Sequence, residues 1–156
     1  MTGRRQEYLP FLIVGTLCVI SGGLVAAATA PAPTEHGTWS AAYLVLVCGV
    51  AQAGLGLGQA LSTSRTPTIV IAVQAIGWNL GNAAVIAGTL TAYTALVDVG
   101  GALLFVILIL LARGLTATGG RPADRMRRWF RYGYGLLILI LLVSIPVGVI
   151  LAHLRT

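Results

Sequence analysis

Thr68-Ile-Val-Ile-Ala-Val-Gln-Ala-Ile-Gly-Trp-Asn-Leu-Gly-Asn82 opens the stretch that decides the fold, and the apolar character it begins runs on to Leu111. At about 1.5 Å per helical residue and about 30 Å of hydrocarbon, this length suffices for two membrane-spanning helices joined by a tight turn. Yet it carries Gln74, Trp78, Asn79, Asn82 and, past the turn, Asp98. Polar side chains inside a bilayer are costly and face a bundle interior. This hairpin is therefore expected at the centre, with the other helices packed around it.

Within residues 68–90, Gln74, Trp78 and Asn82 form an i, i+4, i+8 row with Asn79 beside it, while Gly77, Gly81, Ala84 and Gly88 form a neighbouring small-residue stripe. Ile69, Val73, Ile76, Leu80 and Ala87 complete the circumference. The helix thus has a polar face, a close-packing face and a lipid face. The next span, residues 93–112, puts Asp98, Gly101, Ala102 and Phe105 on one side.

Three more runs pass the same length test: residues 8–28, 39–61 and 134–154. In the second of these, Gly49, Gln52, Gly56 and Gln59 fall within roughly 80° of one another at 100° per residue, a small, amide-bearing face that should meet another helix. Pro31 and Pro33 end the first run, and the segment to Ser40, with Glu35, His36 and Trp39, reads as a polar loop. The Ala-rich end of the first run also resembles a leader-cleavage site, but the run exceeds the usual leader core of about 7–15 residues and is kept as a helix. Ser144-Ile-Pro-Val-Gly148 should kink the last span.

Composition agrees. Of 156 residues 57% are hydrophobic and 9% charged, with mean hydropathy +0.91, far from the soluble average of about 25% charged. The net charge of +6 comes from ten Arg and no Lys. All ten lie outside the apolar runs, so the excess is read as orientation charge and not as a nucleic-acid surface. Arg4, Arg5, Arg65 and the basic loop 113–132 share one side only if five helices alternate. The positive-inside rule then puts that side and the N-terminus in the cytoplasm, with Glu35, His36, Thr91 and the C-terminus outside. Arg121, Arg125, Arg127, Arg128 and Arg131 form the membrane-surface basic set, facing anionic headgroups, with Met126, Trp129, Phe130 and Gly133 on the other side of a short amphipathic helix. The Arg-, Ala- and Gly-rich composition suggests a high-GC bacterium and hence its inner membrane.

An ungapped similarity relates residues 15–26 to residues 81–92, which match at Gly15/Gly81, Val19/Val85, Ile20/Ile86, Gly22/Gly88, Leu24/Leu90 and Ala26/Ala92. If it reflects duplication, the fold is two tandem hairpins plus a fifth helix. The expected fold class is therefore an all-α polytopic membrane bundle forming a single transmembrane domain.

The candidate site is the intramembrane polar set Asp98, Asn79, Asn82, Gln74, Trp78, Gln52 and Gln59. It serves either as a route or site for a small polar solute or proton, or as interhelical hydrogen bonding that holds the bundle. His36 and His153 are weak metal candidates, because nothing fixes their spacing to Glu35 or Asp98. Cys18 and Cys48 read as small buried hydrophobes. The absence of Lys excludes a Schiff base, and no nucleophile elbow, zinc-protease motif or phosphate loop is present. No cofactor is expected and catalysis is unsupported. The leading expectation is a non-catalytic subunit or scaffold that docks to partner membrane helices or to its own copies through surplus glycine-lined faces. The alternative is a small-solute or proton transporter, and a further one is a redox or metal-cofactor protein.

Overall fold

The computed structural model describes residues 2–62, 66–117 and 125–154, with side chains described for 8–61, 66–115 and 128–154. Arg65 and Arg121 lie outside the described residues, as do the side chains of Arg4, Arg5, Arg125 and Arg127.

Helix α1 spans Thr2–Thr29. The second span is composite: α2 (Glu35–Tyr43), a π-helical segment (Leu44–Ala51) and α3 (Gln52–Ser62) run on without interruption. They are followed by α4 (Thr68–Leu90), α5 (Thr94–Ala117) and α6 (Arg125–Leu154). Among the described residues, five stretches are long and apolar enough to cross a membrane: Tyr8–Thr29, Glu35–Leu61, Thr68–Leu90, Thr94–Leu115 and Arg128–Leu154. The protein is an all-α bundle.

The helices extend further into polar sequence than hydropathy implies. Glu35–Ser40, expected as loop, forms the first turns of α2. Thr34 has extended backbone and its hydroxyl accepts from Gly37 N at 3.1 Å, capping the helix, and Glu35 places an acid in the first turn. At the basic connection, residues 113–117 continue α5, and α6 already begins at Arg125 instead of 134. Arg131 Nη2 donates to Leu115 O at 2.8 Å, capping a terminal carbonyl of α5. Trp129 and Phe130 are exposed. Pro146 lies inside α6, and Ser144 Oγ donates to Ile140 O at 2.7 Å in the turn before it.

Backbones approach closely between α1 and the second span, α3 and α6, α6 and α5, α5 and α4, and α4 and α1, which closes a ring. The matched glycines do the same work in both hairpins. A Cβ on Gly15 would lie 2.9 Å from Gly49 O, and one on Gly22 2.9 Å from Ala41 O. One on Gly81 would lie 3.1 Å from Gly100 O, and one on Gly88 2.8 Å from Val97 N. Each pair lets its helix lie backbone to backbone against the next.

Inside the ring, Leu55, Trp78, Leu104, Ile107, Leu108, Leu111, Tyr134 and Ile138 form the main core, drawn from α3, α4, α5 and α6. Phe11, Ile71 and Ala75 join α1 to α4. Ile69, Val73, Ile76 and Leu80 of α4 are exposed, as the lipid arc of its sequence predicts.

The α4–α5 turn closes with Thr91 N donating to Ala87 O at 3.0 Å and Tyr93 N to Gly88 O at 2.9 Å. Between them Ala92 takes φ 52°, a left-handed conformation that a Cβ disfavours. Ala92→Gly is expected to raise stability by about 1 kcal/mol, read by denaturation in mixed micelles.

Candidate functional site: a half-open cavity between the second and fifth spans

The polar residues singled out from the sequence divide into two groups. In the first, Gln59 Nε2 donates to Gln74 Oε1 at 2.8 Å across α3 and α4, fully buried. One helical turn further along α4 stands Trp78, with no exposed surface. One turn beyond that, Asn82 Oδ1 accepts from Tyr43 OH at 2.8 Å while its Nδ2 donates to Trp78 O at 2.8 Å. Asn79, half-buried beside this row, donates to Ala75 O at 2.8 Å on its own helix. The Gln59–Gln74 and Tyr43–Asn82 bonds therefore cross-brace the second span and α4. A double-mutant cycle on Gln59→Leu and Gln74→Leu is expected to give a coupling of about 0.6 kcal/mol, the usual size for such bonds between membrane helices.

The π-helical segment positions the second span for this bracing. At 100° per residue, Tyr43 and Gln52 would stand about 180° apart on a continuous α-helix. The wider i→i+5 turns of Leu44–Ala51 withhold rotation. Tyr43 thus reaches Asn82 while Gln52 and Gln59 stay buried in the same bundle. Gly49 and Gly56, expected to share a face with these amides, pack against Val19 and Phe11 of α1.

Asp98 belongs to the second group and does not meet the amides. The face of α5 that meets α4 carries Val97, Gly100 and Leu104, whereas Gly101, on the Asp98 side, faces Val149 of α6. Asp98 Oδ2 accordingly lies 3.5 Å from His153 Nε2 across the α5–α6 seam, with both side chains about half exposed. His153 Nδ1 lies 3.0 Å from Val149 O. His36 is exposed in the first turn of α2. Among the described residues, no three His, Cys, Asp or Glu side chains group as metal ligands. Cys18 and Cys48 are free thiols in contact across α1 and the π segment.

Near the Asp98 end the helices leave a half-open cavity of about 370 Å³. Trp39, Tyr43 and Val47 form one wall, Val85 and Thr89 of α4 and Val97 of α5 a second, and Ile145, Gly148 and Val149 of α6 the third. Trp78, Leu104 and Leu141 close its inner end. The rings of Trp39 and Tyr43 stack with centroids 5.0 Å apart. The lining is mostly aliphatic and aromatic, and the volume falls within the roughly 300–1,000 Å³ usual for small-molecule sites.

Among the described residues, several buried polar atoms have no hydrogen-bond partner: Trp78 Nε1, Gln52 Nε2 and Oε1, Tyr134 OH and, at the α5–α6 seam, Asp98 Oδ1. Such groups are uncommon and call for an explanation. Only Trp78 among them lines the cavity. Tyr43 and Tyr134 are site and core residues that the sequence reading missed. The signal for Tyr43 is its i, i+4 spacing from Trp39, which the sequence alone assigns to the polar loop that ends at Ser40.

Compared with known protein families, curated proteins and solved structures, the chain matches none.

Proposed function

We propose that this multi-pass membrane protein binds a lipophilic small molecule, taken up sideways from the bilayer into the cavity between the second and fifth spans. The supporting observation is that cavity, half-open, apolar-walled and closed inward by a buried indole whose N–H has no acceptor among the described residues. The glycine faces that favour a docking subunit are largely occupied within the chain, since Gly15, Gly22, Gly49, Gly81, Gly88 and Gly100 all abut neighbouring helices. A polar-solute route loses its acid, because Asp98 lies at the α5–α6 seam away from Gln74.

In this reading the ends of α1, α3, α4, α5 and α6 that carry or adjoin the arginines are cytoplasmic, and the cavity occupies the outer half of the membrane. Single-cysteine labelling in intact cells tests the orientation. Cysteine at Thr91 is expected to react with an impermeant maleimide and cysteine at Trp129 is not, and the reverse pattern overturns it.

For ligand binding, protein purified in mild detergent is extracted with organic solvent and analysed by mass spectrometry. A lipophile near one per chain is expected. Gly148→Leu should deplete it, because a Cβ at Gly148 meets nothing within 4 Å and a longer side chain there occupies cavity space. Recovery of bulk phospholipid alone, unchanged by Gly148→Leu, overturns the reading.

A further inference from the structure

We infer that the cavity selects a flat lipophile carrying a carbonyl-type acceptor on the end that enters first, held by a hydrogen bond from Trp78 Nε1. This rests on the lipophile-binding reading above and goes beyond it by naming the recognition chemistry.

Three observations converge. Trp78 is wholly buried, closes the inner end of the cavity and holds a donor-only N–H that no group among the described residues accepts. A hydrocarbon chain entering tail-first leaves that donor unsatisfied, whereas a molecule entering acceptor-first satisfies it, and a site with an unpaired donor discriminates against ligands that lack the acceptor. The stacked Trp39–Tyr43 pair along the wall offers flat surface for a ring. Of the hydroxyls in the lining, Tyr43 OH is committed to Asn82 and Ser144 Oγ to Ile140 O, and Trp78 Nε1 is the buried donor there that has no acceptor among the described residues. A half-open cavity need not enclose an apolar tail, so the head need not carry the whole hydrophobic surface. Phospholipid acyl chains and sterol-like molecules with only a distal hydroxyl are the competing occupants, and neither presents an acceptor at its leading end.

The test uses the whole chain in lipid nanodiscs with Trp129→Phe, so that Trp39 and Trp78 in the cavity lining report binding, and Trp39 alone when Trp78→Phe is added. The probe 2-methyl-1,4-naphthoquinone quenches indole fluorescence. The hydrocarbon 2-methylnaphthalene, with the same ring skeleton and no carbonyl, is read by its displacement of the quinone. The quinone is expected to bind saturably, and Trp78→Phe is expected to weaken it about tenfold while leaving the hydrocarbon within twofold. A second measurement requires no variant at Trp78: the indole 15N–1H resonance of Trp78 should move downfield with the quinone and not with the hydrocarbon.

If both compounds bind and Trp78→Phe affects them equally, with no selective indole shift, the acceptor inference is overturned and the cavity reading stands. If neither binds saturably, or Gly148→Leu changes nothing, the cavity reading falls and this inference with it.

Discussion

Gly100→Leu is expected to abolish stable folding, lowering unfolding free energy by more than about 3 kcal/mol and replacing a monodisperse species with aggregate on size-exclusion chromatography. The reason is what the side chain meets. A Cβ there would lie 2.7 Å from Gly81 O and 2.9 Å from Val85 N, both backbone atoms of α4, so no rotamer change relieves the overlap. Separating α4 from α5 would also undo the Gly88–Val97 approach and open the core around Leu104 and Leu108. Gly23→Ala is the matched control. Nothing lies within 4 Å of a Cβ at Gly23, and Ala is the better helix former, so stability should be unchanged or higher by up to about 1 kcal/mol. Equal effects at the two positions would refute the close approach of α4 and α5.

Trp78→Ala should cost roughly 3–5 kcal/mol, measured by equilibrium unfolding in mixed micelles. Trp78 heads the fully buried side chains by volume and sits in the core cluster with Leu55, Leu104 and Tyr134. Truncating it leaves a void that merges with the existing cavity. Trp78→Phe keeps most of that volume and should cost less than half as much. Both substitutions remove the N–H, so the gap between them reports the packing contribution of the aromatic ring.

Much of the fold is legible because a bilayer reduces the problem almost to one dimension. Run length and the placement of Arg pick out five spans, and glycine spacing marks the faces that close on neighbours. Gly81 and Gly88, read as a packing stripe, do pack against α5. What periodicity does not tell is which neighbour a face meets. The sequence puts Asp98, Gly101, Ala102 and Phe105 on one side of α5; of these Gly101 and Asp98 meet α6 while Ala102 and Phe105 are exposed, so Asp98 finds His153 and not the amide row. The second span was harder still. A fixed 100° step assumes one kind of helix, and the π-helical turns break that assumption, so Tyr43 could not be projected onto Asn82 from sequence. Helix ends were read too short because hydropathy marks where hydrocarbon stops, whereas a capping Thr34 or a carbonyl-binding Arg131 carries the backbone pattern further.

Leu44–Ala51 also has a bearing on how the sequence can change. A wide-turn segment stores surplus chain, and adding or losing one residue there can be absorbed by lengthening or shortening the wide region itself. Trp39 at one end and Gln59 at the other would keep their bearings. The same indel in Thr68–Leu90 has no such reserve and would swing every side chain beyond it by about 100°, sending Asn82 or Gln74 toward the acyl chains. Length variation among natural versions of this protein should therefore gather in the second span and be absent from the third.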